Sequence, residues 1–409
     1  MKSLQSHQSL QKGTLAHRNV RLFFWATLFG SVNFLEPVMS LFYLGHGLST
    51  AGIYYATLCW CLTVALAEVP TGAFADRFGP KASFLLGCVI NIASKLCLLL
   101  LLIGDGSVLW FYAYNVLNGL SATFFSGADE ALIYDSLKES GEEDKMDVAI
   151  GHVYSSTMYV SIGASLLGAF VVRDLADWQF AILVGAGVAL TLVQLLFLVR
   201  LQNPAVFEKF RENPYVHVRN GLQHLKNSPR LVRLFVNTTV VFVPTYVVFG
   251  KLEQPYLTEN GLPVAWLGVV YASAALGGLL LTRNIGRITA KFSRAGLLYG
   301  SGAVMAAMLF ASAAFPLSPV LALATFYVLR LLKTLRMPIS SHLWNELIPS
   351  GSRATTLSLL SIADSMFDLL FLTAFAGIAG LGYAAVFFGC GAAALAGTLI
   401  PFHERKSKR

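Results

Sequence analysis

Charge is scarce in this sequence. Only 13% of its 409 residues are Asp, Glu, Lys or Arg, about half the roughly 25% typical of soluble domains. A chain that is 56% apolar cannot cover itself with so little charge, so composition excludes an ordinary water-soluble globular protein. Alternating polarity is missing as well. A membrane β-barrel would show short segments of period two, whereas the apolar runs here are long and continuous. Helices are therefore expected to do the spanning, because they satisfy every backbone N–H and C=O within one segment. Cysteine is sparse. Cys59, Cys61, Cys88, Cys97 and Cys390 all lie in apolar runs, without metal-ligand spacing or a partner in a loop, and are expected to be small buried residues. There is no Gly-x-x-x-x-Gly-Lys-[Ser/Thr] loop, so nucleotide hydrolysis is not the expected energy source. No nucleophile–base pair or metal set clusters in the sequence, so neither an enzyme nor a cofactor is expected. No cleavable signal peptide is expected either: residues 1–19 are polar and basic, and the first apolar run is long enough to stay as a span.

What is present is a series of twelve apolar runs. The first six fall at about 20–44, 50–74, 82–103, 107–135, 148–172 and 178–200. The second six fall at about 232–256, 263–288, 295–315, 318–346, 353–378 and 380–401. Twelve spans of about 20 residues with their loops account for a chain of this length. The net charge of +8 suggests nucleic acid at first sight, but its distribution follows membrane topology instead. With the N-terminus placed in the cytoplasm, 24 of the 30 lysines and arginines fall in inside segments and two, Arg173 and Lys251, fall outside. The remaining four, Lys95, Arg330, Lys333 and Arg336, lie within spans. This split predicts both termini in the cytoplasm and an even number of spans.

The halves echo one another. Aligning Phe111-Tyr112 with Phe326-Tyr327 sets Asn115 against Arg330, Asn118 against Lys333 and Gly119 against Thr334. Span 4 thus lies over span 10. A second echo places Ala75-Asp76-Arg77-Phe78 near Ala290-Lys291-Phe292, after spans 2 and 8. The expected organisation is an N-terminal six-helix bundle at 1–200, a polar linker at 201–231 and a C-terminal six-helix bundle at 232–409, with a site where the halves face each other. Within the linker, Val216–Leu225 has the pattern of a short amphipathic surface helix.

Between spans 2 and 3 lies Gly72-Ala-Phe-Ala-Asp76-Arg77-Phe-Gly79-Pro-Lys81. This stretch resembles the G-x-x-x-D-R-x-G-R-[RK] signature of the major facilitator superfamily. Gly72, Asp76, Arg77, Gly79 and Lys81 match, and Pro80 replaces the first basic residue of the ending. Glu68-Val-Pro-Thr-Gly72, the segment from Ser126 to Asp135, and Ile348-Pro-Ser350 followed by Arg353-Ala-Thr355 also look like bacterial members. The resemblance covers essentially the whole chain. It implies an all-α membrane protein with two pseudo-symmetric six-helix bundles, a secondary transporter working by alternating access. It further implies that the five matching residues form a cytoplasmic gate whose contacts break on inward opening; the plain reading of the same cluster is a topogenic basic loop that holds span 3 in place. Two departures weaken any transfer of proton-coupled drug antiport: Asn115 stands where many such exporters carry Arg in span 4, and Gly163 to Gly168 in span 5 contains no Pro.

Ionisable groups inside a bilayer are costly and mark function by default. Arg330, Lys333 and Arg336 in span 10 are spaced i, i+3, i+6 and drift round the helix, while Asp364 and Asp368 in span 11 share one face. The plain reading is that two acids and two bases neutralise each other between adjacent helices. The functional reading makes them a substrate or proton site, with Arg330 gripping an anionic group. In the first half Glu36, beside Pro37, is a proton or cation-site candidate, and Lys95 is its candidate counter-charge or a structural charge. Asp129 and Glu130 point about 100° apart, so at least one is expected to make an interhelical structural pair. The acidic run Glu139–Asp147 reads as a solvated loop, His342 as a packed residue, and Tyr112, Tyr114, Tyr154 and Tyr159 as possible cavity lining. These readings favour a monomeric, proton-coupled transporter of a small organic solute in the inner membrane of a bacterium. An anionic solute, a carboxylate or siderophore-like molecule, suits the positive second half. The alternatives are a multidrug or toxic-compound exporter, expected to carry hydrophobic cations, and a non-transporting membrane sensor, against which the lack of an added soluble domain speaks.

Overall fold

The computed structural model describes residues 10–104, 106–205, 226, 228–348 and 353–402. The linker helix expected at 216–225 and the Pro349–Ser350 part of the span 10–11 motif lie outside them. Among the described residues there is no strand, and each of the twelve apolar runs is occupied by a helix or a pair of helices. The first half comprises α1 (Leu15–Gly30), α2 (Met39–Gly45), α3 (Thr50–Phe78), α4 (Pro80–Ile103), α5 (Leu109–Phe125), α6 (Ala128–Ser140), α7 (Met146–Val171) and α8 (Asp177–Val199). The second comprises α9 (Pro229–Phe242), α10 (Glu253–Glu259), α11 (Val264–Arg283), α12 (Ile285–Lys291), α13 (Arg294–Ala314), α14 (Pro319–Leu347), α15 (Arg353–Ile378) and α16 (Tyr383–Leu399). Seven of the described helical segments are long and apolar enough by themselves to cross a bilayer.

Several spans are not simple rods, and local chemistry explains where they break. Span 1 unwinds over residues 31–38, between α1 and α2, where Asn33 and Pro37 interrupt the apolar run. Span 4 divides at Ser126-Gly127, because Gly127 takes φ 71°, a left-handed backbone that side chains resist. In span 7, Pro244 has no N–H to donate, and the chain widens into a π turn over Val243–Val248 before tightening through Phe249–Lys251 into α10. Side chains start several helices. Thr14 Oγ1 accepts from His17 N–H at 3.2 Å, and Ser293 and Ser318 do the same for α13 and α14.

The chain forms two compact units, one of residues 1–42 and 59–211, the other of residues 43–58 and 212–409. In the first, Phe23 on α1, Phe84 on α4, Leu132 on α6 and Val153 on α7 belong to one buried core. Its α7 comes very close to the unwound part of span 1: a Cβ on Gly168 would overlap the carbonyl oxygen of Phe34. In the second unit, Leu234, Leu298, Leu335 and Ile339 join α9, α13 and α14, and Tyr54 donates to the Val248 carbonyl at 3.3 Å. The internal repeat has a packing counterpart. Gly119 on α5 lets α3 approach, its Cβ position lying 3.0 Å from the Trp60 carbonyl oxygen. Thr334, its counterpart on α14, meets a glycine, Gly278 on α11, whose Cβ position lies 3.2 Å from Thr334 Oγ1. The small residue has changed sides of an otherwise equivalent contact.

Candidate functional site

The signature stretch is more helical than its sequence suggests. Instead of a loop, α3 runs on to Phe78 and α4 begins at Pro80, so one residue, Gly79 at φ 90°, makes the whole turn. A helix of 29 residues is about 43 Å long, longer than a hydrocarbon core of about 30 Å, and the signature occupies its C-terminal turns. Gly72, Asp76 and Arg77 lie in these last turns. Asp76 and Arg77 are exposed, and the Arg77 guanidinium lies 5.3 Å from the Phe78 ring. Lys81 uses its backbone N–H to reach Asn203 Oδ1 at 3.1 Å.

In the first unit the charged candidates separate. Glu36 is half-buried in the unwound segment of span 1. Lys95 on α4 is not its counter-charge: its Nζ donates to Thr191 Oγ1 at 2.5 Å and to the Gly187 carbonyl at 3.2 Å, both on α8. Asp129 makes the expected interhelical contact, accepting from Tyr154 Oη on α7 at 2.9 Å. The acidic run is not wholly solvated. Glu142 is 5% exposed and accepts from Gln11 N–H at 2.9 Å, Thr14 Oγ1 at 3.3 Å and Lys145 Nζ at 2.7 Å. Burial pushes its carboxyl up, but these donors and the Lys145 charge outweigh burial and hold it below the ordinary range.

The second unit holds a denser arrangement, differing from the pairing expected between spans 10 and 11. Arg330 on α14 is ion-paired with Glu253 on α10, Nη2 to Oε1 at 2.5 Å and Nε to Oε2 at 3.4 Å. Glu253 is 3% exposed and also accepts from Tyr271 Oη on α11, which in turn accepts from Gln254 Nε2 at 3.1 Å. The Tyr271 ring lies 4.1 Å below the guanidinium. Arg330 is thus held on two sides. Glu253 was missed in the sequence because it sits at the edge of span 7, on the short helix beyond the π turn.

Lys333 is covered by an aromatic face, its Nζ 3.2 Å from the Tyr246 ring centroid. Three residues further on, the drift of α14 turns Arg336 to α13, where Nη1 donates to the Leu298 carbonyl at 2.5 Å and to Ser301 Oγ at 2.9 Å. Asp364 on α15 accepts from Thr239 Oγ1 on α9 at 2.9 Å. Asp368 follows one turn along the same face, and its Oδ1 is buried without a hydrogen-bond partner. Between α9, α14 and α15 lies a cavity of about 290 Å³, with Thr239, Phe242, Arg336, Trp344, Leu360 and Asp364 in its walls. His342, expected to be packed, is exposed and lies 3.0 Å from Glu346. The five cysteines are free thiols, four buried and Cys59 half-buried. The side chain of Tyr159 lies outside the described residues.

Among the described residues the arrangement gathers paired and unpaired charges and includes no metal-ligating cluster. The sequence matches the profile of the Major Facilitator Superfamily over residues 22–367. Comparison with curated proteins gives no match. The fold is similar to solved structures of transporters. A point mutant of the nucleoside transporter NupG aligns with TM-score 0.74 at 13% identity, covering 94% of this chain and 98% of that one. A D-xylose-proton symporter aligns with TM-score 0.69 at 14% identity, covering 94% and 95%. A POT family transporter in complex with a thioalcohol-conjugated peptide aligns with TM-score 0.71 at 14% identity, again covering 94% and 95%. With helices in every apolar run and a profile match over most of its length, this multi-pass membrane protein is a transporter rather than an enzyme, and it belongs to the major facilitator superfamily.

Proposed function

We propose that the protein is a secondary active transporter that moves a small organic solute by alternating access and couples the movement to protons. The observation that carries the coupling is the state of its carboxylates. Glu253 is committed to Arg330 and Tyr271, and an acid so held has little freedom to exchange a proton. Asp368 differs: its buried Oδ1 has no hydrogen-bond donor, Arg330 and Lys333 are engaged elsewhere, and the positive charge that acts on it is that of Lys251. Asp364 sits beside it with one donor, Thr239, in the wall of a cavity large enough for a solute. Proton sites of this kind lie next to the carried molecule, so that loading one changes the electrostatics felt by the other.

The working geometry we propose is two six-helix bundles, 1–200 and 232–409, rocking about a solute site, with the linker between them and both termini in the cytoplasm of a bacterium. The charge distribution of the loops supports that orientation. The junction of α3 and α4, with Gly72, Asp76, Arg77, Gly79 and Lys81, acts as the cytoplasmic gate. Glu36, in the unwound part of span 1, is a second proton-site candidate. A cation-exporting drug pump is the competing reading, favoured by the aromatic walls and Asp364 of the same cavity. Arg336 in those walls weighs against it, since it repels a cation.

The test is transport by purified protein in proteoliposomes under an imposed pH gradient, screening monocarboxylates against cationic dyes. Gradient-driven carboxylate movement is expected in wild type and lost in Asp364→Asn and Asp368→Asn. Undiminished gradient-driven transport in both variants and in Glu36→Gln would remove the proton assignment.

A further inference from the structure

We infer that the cavity between α9, α14 and α15 recognises the carboxylate of a small monoanionic solute with an aromatic or aliphatic body, through Nη2 of Arg336 and Nε1 of Trp344. This rests on the transporter reading above and adds the charge, size and shape of what is carried. Arg336 is 5% exposed, and while its Nη1 is satisfied by Leu298 and Ser301, its Nη2 has no hydrogen-bond partner. The Trp344 Nε1 is also buried and unpartnered. Among the described residues six buried side-chain polar atoms lack a partner; the two that are nitrogen donors both belong to residues lining this one cavity. Guanidinium and indole nitrogens donate only, so the missing partner must bring acceptors. A buried polar group left unmet is costly, and two in one cavity call for a ligand that satisfies both.

The rest of the cavity sets the ligand's other properties. The planar fork of Arg matches a carboxylate better than it matches a single carbonyl. Phe235, Phe242 and Leu360 supply apolar walls for a hydrocarbon body. The volume of about 290 Å³ equals roughly ten water molecules, enough for a small metabolite. Asp364 in the wall opposes a second negative charge on the ligand, which limits it to a monoanion. A hydrophobic cation would leave both N–H donors unmet and face the guanidinium. The anion grip assigned to Arg330 from sequence therefore moves to Arg336, whose buried Nη2 has no hydrogen-bond partner while Arg330 is held by Glu253.

The test is isothermal titration calorimetry on the full-length protein in a non-ionic detergent, with phenylacetate, its neutral isostere phenylacetamide and the cation phenethylamine as probes. Saturable binding of phenylacetate is expected, with the other two weaker by about tenfold or more, the loss that follows from one missing charge-assisted hydrogen bond. Arg336→Gln is expected to abolish the preference. Because Arg336 also braces α13, Trp344→Phe provides a milder variant: it keeps a ring against Phe235, 6.1 Å away between centroids, and removes only the N–H. Trp344→Phe should weaken phenylacetate roughly tenfold with no change in melting temperature. Equal affinity for the three probes, no saturable binding of any, or wild-type affinity in Trp344→Phe overturns the inference and leaves a cavity filled by water. Gradient-driven transport without an anion preference would sink this inference alone; phenylacetate binding without gradient-driven transport would sink the coupling instead.

Discussion

Arg330→Met should cost the second unit a large part of its stability. The guanidinium is the ionic partner of Glu253, and Glu253 is 3% exposed, so the substitution leaves an uncompensated carboxylate with only Tyr271 to solvate it. Breaking a buried pair by removing one partner costs about 3–5 kcal/mol. The loss of the stacked Tyr271 contact adds to this, because the guanidinium lies 4.1 Å from the ring. For a unit of roughly 200 residues, each kcal/mol moves the melting temperature by about 2–4 °C, so the expected fall is about 6–20 °C. Glu253→Gln in the same background should recover at least about half of it, since replacing both members of a buried pair is often close to neutral. The assay is thermal unfolding of detergent-purified protein followed by intrinsic fluorescence, for wild type, both single variants and the double. If Arg330→Met melts within about 1 °C of wild type, or the double variant falls by the sum of the singles, Arg330 is not locked by Glu253 and is free to hold a ligand after all.

Gly168→Ala should destabilise the first unit by about 1–3 kcal/mol or more, because its Cβ would overlap the Phe34 carbonyl and push α7 off the unwound part of span 1; an unchanged melting curve would refute that contact. Lys95→Met removes two hydrogen bonds to α8 and should lower stability by about 1–3 kcal/mol while leaving the transport rate per folded molecule unchanged, and a selective loss of transport would return Lys95 to the site. Glu142→Gln should cost about 1–2 kcal/mol at neutral pH. Because the folded Glu142 carboxyl is held below its ordinary value, its contribution is fully present above about pH 4.3 and is lost as pH falls through the lower folded value, so the melting curves of wild type and variant should converge in acid. A gap that persists at low pH would mean the effect is packing rather than charge.

Continuous apolarity made the spans legible in sequence, since only helices can carry such runs through a bilayer, and the Gly72–Lys81 stretch pointed to the right family. Breaks within spans were harder to read. Hydropathy averages over Ser126-Gly127 and over 31–38, and so hides a positive φ at Gly127 and the unwinding beside Pro37. The charges of span 10 were visible, but their partners were not. Arg330 meets Glu253, 77 residues earlier and beyond a π turn, and no local spacing rule relates the two. The drift of Arg330, Lys333 and Arg336 around α14 did carry the signal that they face different neighbours: Glu253 and Tyr271, Tyr246, and α13. Glu142 was misread because a charge run usually marks solvent; here one member is folded inward by Gln11, Thr14 and Lys145.

Solute-driven proton movement tests the central claim most directly. Proteoliposomes in weak buffer, monitored by a pH electrode, would receive pulses of monocarboxylates, phenylacetate among them, together with the labelled solute to follow its own crossing. Proton coupling through Asp364 and Asp368 predicts a pH transient that accompanies solute movement in wild type and in Lys95→Met, and that disappears in the double variant Asp364→Asn, Asp368→Asn. Solute crossing with no pH transient in wild type, or an undiminished transient in the double variant, would contradict it.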